Sequence, residues 1–241
     1  MSDKCNAPVG VFDSGVGGLT VAREIMRNLP EENIVYFGDT ARVPYGTKSK
    51  DTVLRYSRQI IRFLMTKHVK AIVIACNTAS AYALATVEKE FDVPIIGVIR
   101  AGARTAVQVT RNGKIGVIAT EGTIGSGIYT QEIKKLRPDI EVTGKPCPLF
   151  VPLVEEGLLH DSVTDEIASR YLSSLKSRFV DTLVLGCTHY PLIRSTLGRL
   201  MGNDVTLVNP AYETAIELRD LLQKYGLSCD EENTGGEKYQ F

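Results

Sequence analysis

Two short apolar runs in this chain each end in a cysteine that small polar residues follow. The first covers residues 71–78 (AIVIACNT) and the second residues 182–189 (TLVLGCTH). A continuous apolar run of this length is typical of a strand buried on both faces of a parallel sheet. The sequence therefore predicts that Cys76 and Cys187 lie at the carboxyl ends of two such strands, where parallel sheets bind their ligands.

Runs typical of strands alternate with segments of helical periodicity along the chain. This alternation predicts an α/β fold with mainly parallel sheets. Apolar residues at helical spacing after position 52 predict a surface helix that Ser49 caps. The predicted strands cover residues 8–13, 33–37, 71–75, 94–98, 114–119, 141–144, 182–186 and 205–208.

The spacing of the two cysteines suggests an internal repeat. They lie 111 positions apart in a chain of 241 residues, and no segment rich in proline, serine or glycine separates the halves. We therefore expect two similar α/β domains, related by a pseudo-twofold axis, with an active site in the cleft between them.

Charge and composition favour a small-molecule partner. Lysine plus arginine equals aspartate plus glutamate at 28 each, so net charge does not favour nucleic acid or a membrane surface as partner. No apolar run is long enough to span a bilayer, and the first residues lack the apolar core of a signal peptide. We expect a cytoplasmic protein whose five cysteines are thiols and form no disulfide framework.

The first predicted strand runs into a glycine-rich turn, Asp13-Ser14-Gly15-Val16-Gly17-Gly18. Glycines let backbone amides approach a ligand closely before a helix begins, so the turn is either a close-packed connection or an anion site. A dinucleotide fingerprint would need glycine where Thr20 stands, and the Gly-Lys-Ser/Thr ending of a phosphate-binding loop is absent. Asp13 is a candidate to handle a proton or bind a substrate amine.

A second loop at a strand end contains Pro44-Tyr45-Gly46. These residues are typical of a simple turn. Their position at the carboxyl end of a strand, where loops usually carry functional residues, favours substrate contact instead.

Two cysteines in matched contexts indicate thiol chemistry more strongly than one would. A single free cysteine is usually a small buried hydrophobe, but each of these precedes a probable helix N-terminus, where amides lower the pKa of a thiol. Neither has a second ligand at the spacing of a zinc site, and no Cys-x-x-Cys pair is present. His189, two positions after Cys187, could orient or deprotonate that thiol. Glu155 cannot be assigned on pattern alone.

Two thiols on opposite sides of a cleft suit one class of reaction. One thiolate removes a proton from one face of a tetrahedral carbon, and the other thiol delivers a proton to the opposite face. This is racemisation or epimerisation, and it needs no metal and no cofactor.

Four segments resemble the signature segments of bacterial glutamate racemases, in the aspartate/glutamate racemase family, and the similarity extends from about residue 8 to residue 225. They are Asp13–Val21 (DSGVGGLTV), Asp39–Gly46 (DTARVPYG), Cys76 with its neighbours (ACNTAS) and Cys187 with its neighbours (LGCTHYPL). The resemblance implies a cofactor-independent isomerase that interconverts L- and D-glutamate and supplies D-glutamate for peptidoglycan, in cell wall biogenesis and the maintenance of cell shape.

The resemblance also implies roles for individual residues. Cys76 would act on the D enantiomer and Cys187 on the L enantiomer, with Asp13, His189 and Glu155 assisting them. The implied domains are residues 1–97 plus 209–241 and residues 98–208, and a homodimer is expected. The implied substrate contacts are Asp13, Ser14, Pro44, Tyr45, Gly46, Cys76, Asn77, Thr78, Thr120, Thr123, Cys187, Thr188 and His189.

Two alternatives remain open. The chain could be an aspartate racemase or another two-thiol isomerase, which would differ in the residues that meet the side-chain carboxylate. It could also be a binding or regulatory protein that keeps the racemase scaffold, and such a protein would bind its partner without either cysteine.

Overall fold

The structure, a computed structural model, describes residues 5–229 and 238–241. These residues form two parallel sheets with flanking helices and divide into two compact units. The first unit comprises the described residues up to Val98 and from Ala211 onward, and the second is Ile99–Pro210. The predicted α/β class with parallel sheets is confirmed. The exact domain boundaries, the pseudo-twofold axis and the cleft stay predictions.

The first unit contains five strands and, wholly or for the most part, four helices in the described residues. The strands are β1 (Val9–Asp13), β2 (Ile34–Gly38), β3 (Ala71–Ile74), β4 (Ile95–Gly97) and β9 (Tyr239–Gln240). The helices are α1 (Leu19–Asn28), α2 (Lys50–Met65), α3 (Asn77–Glu90) and α10 (Pro210–Lys224), and α4 (Val98–Val109) starts at the last residue of this part.

The second unit contains four strands and the remaining helices. The strands are β5 (Lys114–Ala119), β6 (Glu141–Pro146), β7 (Thr182–Gly186) and β8 (Thr206–Val208). The helices that follow α4 are α5 (Glu121–Gly125), α6 (Ile128–Leu136), α7 (Phe150–Glu155), α8 (Ser162–Lys176) and α9 (Arg194–Met201), and a 3₁₀ helix covers Tyr190–Ile193.

The two sheets share one strand order. The first runs β4-β3-β1-β2-β9 and the second β6-β5-β7-β8, and all neighbouring strands are parallel. If the strands are numbered within each unit, the first sheet read from β2 to β4 and the second read from β6 to β8 both have the order second, first, third, fourth. In both units the third strand, β3 or β7, leads into a cysteine. The internal repeat that the sequence suggests is therefore present in the topology.

The strands that lead to the cysteines are buried along their whole length. Every residue of β3 and of β7 is inaccessible to solvent, and β1 between β2 and β3 is buried as well. Helices supply the other half of each core, with Ile60 and Leu64 of α2 in the first unit and Leu172 of α8 in the second. Each large apolar side chain buried in this way stabilises the fold by about 1.5–3 kcal/mol.

The helix predicted after position 49 begins as expected. Ser49 adopts an extended backbone, and its Oγ accepts a hydrogen bond from the amide of Thr52 at 3.3 Å, which satisfies one of the unpaired amides at the start of α2. Substitution of such a cap typically costs about 1 kcal/mol.

Some element ends differ from the predictions. The prediction that Val98 ends a strand is wrong, because β4 stops at Gly97 and Val98 begins α4. Glycine leaves room at that junction, where a Cβ would lie 2.6 Å from Ser80 Oγ. β6 continues two residues beyond the predicted end, to Pro146, and the short strand β9 was not predicted. Within the described part of the chain, no helix is long and apolar enough to cross a membrane.

Candidate active site

Cys76 immediately precedes α3, and one residue, Ala75, separates it from the end of β3. Its Sγ accepts a hydrogen bond from the amide of Ala79 at 3.4 Å, so the thiol takes the N-cap position of the helix. The residue is 6% exposed. The helix N-terminus presents donors to the sulfur, which is the surrounding that stabilises a developing thiolate.

Asp13 ends the neighbouring strand β1 at the same edge of the sheet. Its Oδ2 accepts hydrogen bonds from the amides of Gly15 at 3.2 Å and Gly18 at 2.9 Å. Gly18 has a helical backbone, and glycine is needed there for space: a Cβ would lie 2.4 Å from the Cβ of Asp13. The glycine-rich turn therefore folds around a buried carboxylate in this structure.

The lowered pKa expected for a thiol at a helix N-terminus is not found at Cys76, because its surroundings keep it in the thiol form at neutral pH. Burial and then the negative charge of Asp13 raise its pKa to about 12, while hydrogen bonds from Ala79 and Ser14 oppose that rise. A thiol with this pKa carries its proton at neutral pH and can protonate a much stronger base such as a carbanion. Acting as a base, it must first give up its proton, and Asp13 is the charged group whose field acts on it.

Tyr36 on β2 braces the same turn. Its hydroxyl donates to the carbonyl of Gly15 at 2.6 Å. Burial, Asp13 and Cys76 all raise the pKa of Tyr36, so the phenol stays protonated and can keep donating. Tyr36 is not among the residues predicted from the sequence, where the available signal is a hydroxyl-bearing side chain within an otherwise apolar strand.

The loop after β2 is organised by a buried carboxylate. Asp39 is 4% exposed, and it accepts hydrogen bonds from the hydroxyl of Tyr45 and from Arg42 Nε at 2.9 Å. Burial and the bond to Asp39 raise the pKa of Tyr45. Tyr45 and Gly46 are buried, whereas Pro44 is exposed. Asp39 and Arg42 belong to the Asp39–Gly46 segment but are not among the predicted site residues, although they organise this loop.

Polar residues cluster beside the Cys76 thiol. Asn77 and Thr78 occupy the first turn of α3, Ser14 follows Asp13, and all three are buried. Buried amide and hydroxyl groups at the edge where the strands end are suited to hold a polar ligand. The structure brings Asp13, Ser14, Cys76, Asn77 and Thr78 to one edge of the first sheet.

Cys187 has a different partner in the second unit. It follows β7 directly, is 7% exposed, and its Sγ lies 3.8 Å from His189 Nδ1. The other ring nitrogen, Nε2, lies 3.0 Å from Glu155 Oε1 at the end of α7. His189 is buried, whereas the Glu155 side chain is 39% exposed. A thiol, an imidazole and a carboxylate that contact one another in a row can relay a proton between the sulfur and the protein surface.

Threonines lie at the adjacent strand end of the second unit. Ala119 of β5 is in register with Gly186 of β7, so Thr120 and Cys187 follow neighbouring strand ends. The Thr120 Oγ1 lies 3.0 Å from the Thr123 Oγ1 and caps α5. Thr188 is buried next to Cys187.

Tyr129 is a further residue near Cys187, and it is not among the site residues predicted from the sequence. It is buried on α6, and burial together with the charge of Cys187 raises its pKa. A Cβ on Gly186 would meet the Ile118 carbonyl oxygen at 2.9 Å and Tyr129 at 3.2 Å. Gly186 therefore permits the close packing that sets the position of Cys187.

Each unit thus carries one buried thiol at the end of its third strand, with a carboxylate that acts on it directly or through histidine. Side chains arranged in this way can transfer protons to and from a bound ligand. Among residues 5–229 and 238–241, no cluster of three or more histidine, cysteine, aspartate or glutamate side chains could hold a metal ion.

A family model described as Asp/Glu/Hydantoin racemase matches residues 15–216. The chain belongs to this family. Among its members, a glutamate racemase from Geobacter metallireducens is 54% identical over 215 residues, which are 89% of this chain and 80% of that protein.

Two solved structures of family members are also similar to the chain. Glutamate racemase isoform RacE1 from Bacillus anthracis superimposes with a TM-score of 0.92 at 44% identity, and the match covers 94% of this chain and 85% of that one. Glutamate racemase from Francisella tularensis in complex with D-glutamate gives a TM-score of 0.89 at 42% identity, over 98% and 87% of the two chains.

Proposed function

We propose that this protein is an isomerase that interconverts L-glutamate and D-glutamate by proton transfer at the α-carbon, with Cys76 and Cys187 as the two bases. The observation that carries the proposal is the pair of buried thiols, which follow equivalent strands of two sheets with the same strand order. Asp13 lies near Cys76, and Glu155 is linked to Cys187 through His189. Its high-identity relatives are glutamate racemases, which supports glutamate as the substrate.

In the direction from L- to D-glutamate, Cys187 removes the α-proton and Cys76 returns one to the opposite face of the carbon. The pKa of about 12 at Cys76 fits this direction, because Cys76 must begin as a thiol. His189, 3.8 Å from the Cys187 sulfur, takes the thiol proton before the reaction, and Glu155 holds the imidazole in position.

From D- to L-glutamate the roles reverse. Cys76 must first lose its proton, and we assign that step to the neighbouring Asp13, whose Oδ2 is fixed by the amides of Gly15 and Gly18. Protonated Cys187 then completes the inversion. The two thiols thus exchange the functions of acid and base, while their different partners remain in place.

The carbanion formed between the two steps needs stabilisation, since the α-proton of an amino acid is a very weak acid. Donors fixed in advance at a site that excludes water provide it. We assign substrate binding to the buried polar groups at the two strand edges and to the loop after β2. The proposed contacts are Asp13, Ser14, Pro44, Tyr45, Gly46, Asn77, Thr78, Thr120, Thr123, Thr188 and His189.

The wider setting follows from the family resemblance. D-Glutamate would supply peptidoglycan synthesis, the protein would act in the cytoplasm, and it would assemble as a homodimer. Size-exclusion chromatography with light scattering tests the oligomeric state, and a measured mass equal to that of one chain would refute the dimer.

The reaction is tested with chelator-treated protein and L-glutamate in heavy water. Optical rotation should fall to zero while the α-proton NMR signal disappears, because each inversion takes a proton from solvent. L-Aspartate in a parallel sample should keep both signals. Exchange with aspartate alone would identify an aspartate racemase, and no exchange with either would point to a protein that keeps the scaffold for binding.

A further inference from the structure

A buried ion pair joins a segment near the start of the chain, at Cys5, to a segment late in the chain, at Leu227 and Cys229. Lys70 Nζ lies 2.5 Å from Glu32 Oε2, and both side chains are 2% exposed. The same ammonium donates to the carbonyl of Cys5 at 2.5 Å and to the carbonyl of Leu227 at 2.8 Å. Glu32 Oε1 accepts from the amide of Cys229 at 3.0 Å. The ion pair therefore fixes the backbones beside two cysteines that are far apart in sequence.

The side chain of Cys229 contacts Cys5 at this point. Cys229 Sγ lies 3.0 Å from the carbonyl oxygen of Cys5, and both sulfurs are within 4.0 Å of the same atom, Asn6 Oδ1. Both residues are partly exposed, so a small reagent can reach them. Two segments fixed at such a separation give each thiol a high effective concentration at the other.

We propose that Cys5 and Cys229 form an oxidation site at which a small-molecule disulfide produces an intramolecular disulfide bond. The site is independent of the proposed racemase reaction. It lies before β1, whereas Asp13 ends that strand of five residues, about 16 Å farther along.

The reaction consumes one small-molecule disulfide and two thiols. The thiolate of Cys5 attacks one sulfur of oxidised glutathione, the bond between the glutathione sulfurs breaks, and one glutathione leaves. The thiolate of Cys229 then attacks the Cys5 sulfur and displaces the second glutathione. Both protons pass to the released glutathione thiols, the protein is oxidised by two electrons, and the glutathione disulfide is reduced by two.

The order of attack follows from the surroundings of Cys229. Burial raises the pKa of its thiol, Lys70 opposes that rise, and Glu32 and Cys5 add to it. A raised pKa lowers the thiolate fraction of Cys229, which disfavours Cys229 as the first nucleophile.

Peptide mapping tests the site in the full-length protein. After incubation with oxidised glutathione, alkylation and trypsin digestion without reductant, we expect residues 5–23 joined to residues 225–238. Each of these tryptic peptides contains one cysteine. The intact chain should be monomeric in denaturant and lighter by two hydrogen atoms. Separate glutathione adducts at the two cysteines, a link between chains or no reaction at either cysteine would overturn the proposal.

Matched variants locate the bond. Cys5→Ser and Cys229→Ser should each abolish the link and leave glutathione on the remaining cysteine of the pair. Cys147→Ser, which removes a thiol from the second unit, should leave the yield of the link unchanged. An unchanged yield in either of the first two variants would refute the assignment.

Discussion

At the scale of single residues, the two thiols have the same place in the topology and different chemical partners. The negative charge of Asp13, at the same edge of the first sheet, raises the pKa of Cys76. Cys187 instead contacts His189, whose other ring nitrogen is bonded to Glu155. Charge should therefore control Cys76 directly, and the Cys187 thiol should depend on the imidazole.

The first prediction concerns Asp13→Asn. Loss of the negative charge lowers the pKa of Cys76 from about 12, so the thiolate fraction at pH 8 increases about tenfold for each unit by which the pKa falls. Alkylation of Cys76 by iodoacetamide should become several-fold faster. Racemisation should become slower by roughly 10²-fold, because the assisting carboxylate is lost.

Peptide mass spectrometry after timed labelling measures the first effect, with Cys229 in the same sample as internal reference. In the wild type, labelling of Cys76 should keep rising with pH to near 12, since the raised pKa favours the thiol until then. Slower labelling of Cys76 in the variant would contradict the proposed role of the Asp13 charge.

The residues that pattern alone could identify are those that carry an unusual side chain at a strand end. Cys76, Cys187 and Asp13 are of this kind. Tyr36 and Asp39 could not be selected, because their importance comes from the atoms they reach: Tyr36 donates to a carbonyl 21 positions earlier, and Asp39 accepts from Tyr45 across a loop.

At the scale of elements, the turn between β1 and α1 depends on the absence of one side chain. We predict that Gly18→Ala lowers racemisation by more than about tenfold and destabilises the fold by about 1–3 kcal/mol. The added Cβ would lie 2.4 Å from Asp13 and 2.7 Å from the Tyr36 hydroxyl, so the amide that holds Asp13 must move.

The matched control for this prediction is Gly125→Ala at the end of α5. Apart from its chain neighbours and the nearby backbone of its own helix, no described atom lies within 4 Å of the Cβ that the substitution adds there. Rates of racemisation and urea unfolding of the two variants compare the sites directly. Equal effects at both positions would show that the packing around Asp13 is not the cause.

Strands with buried, continuous apolar sequence were predictable almost to the residue. β5 and β7 have the predicted ends, because each apolar run begins at a polar residue, Lys114 or Thr182, and ends at a small one, Ala119 or Gly186. The strand predicted to end at Val98 was one residue too long at that end, since an apolar residue after a glycine suits the start of a helix as well as the end of a strand. β9 has only two residues, and its existence depends on pairing with Ile34 and Val35 of β2, which no local pattern shows.

At the scale of the whole molecule, the shared strand order explains why two cysteines so far apart in sequence have equivalent places. Each follows the third strand of its unit, beside the end of the first strand, where Asp13 stands in one case and Thr120 in the other. The sequence could reveal this repeat only through the two cysteine segments, because the remaining strands share no residues that mark their order.

The central claim is that both thiols are needed for one reaction. Initial rates from L- and from D-glutamate should be measured for the wild type, Cys76→Ala, Cys187→Ala and the control Cys147→Ala, which removes a buried thiol outside the proposed site. We predict that each of the first two variants loses at least about 10³-fold in kcat/KM, and loses it equally in both directions, because the enantiomers have equal free energy in water. The control should keep its rate. A near-normal rate in either Cys76→Ala or Cys187→Ala would contradict the two-thiol mechanism.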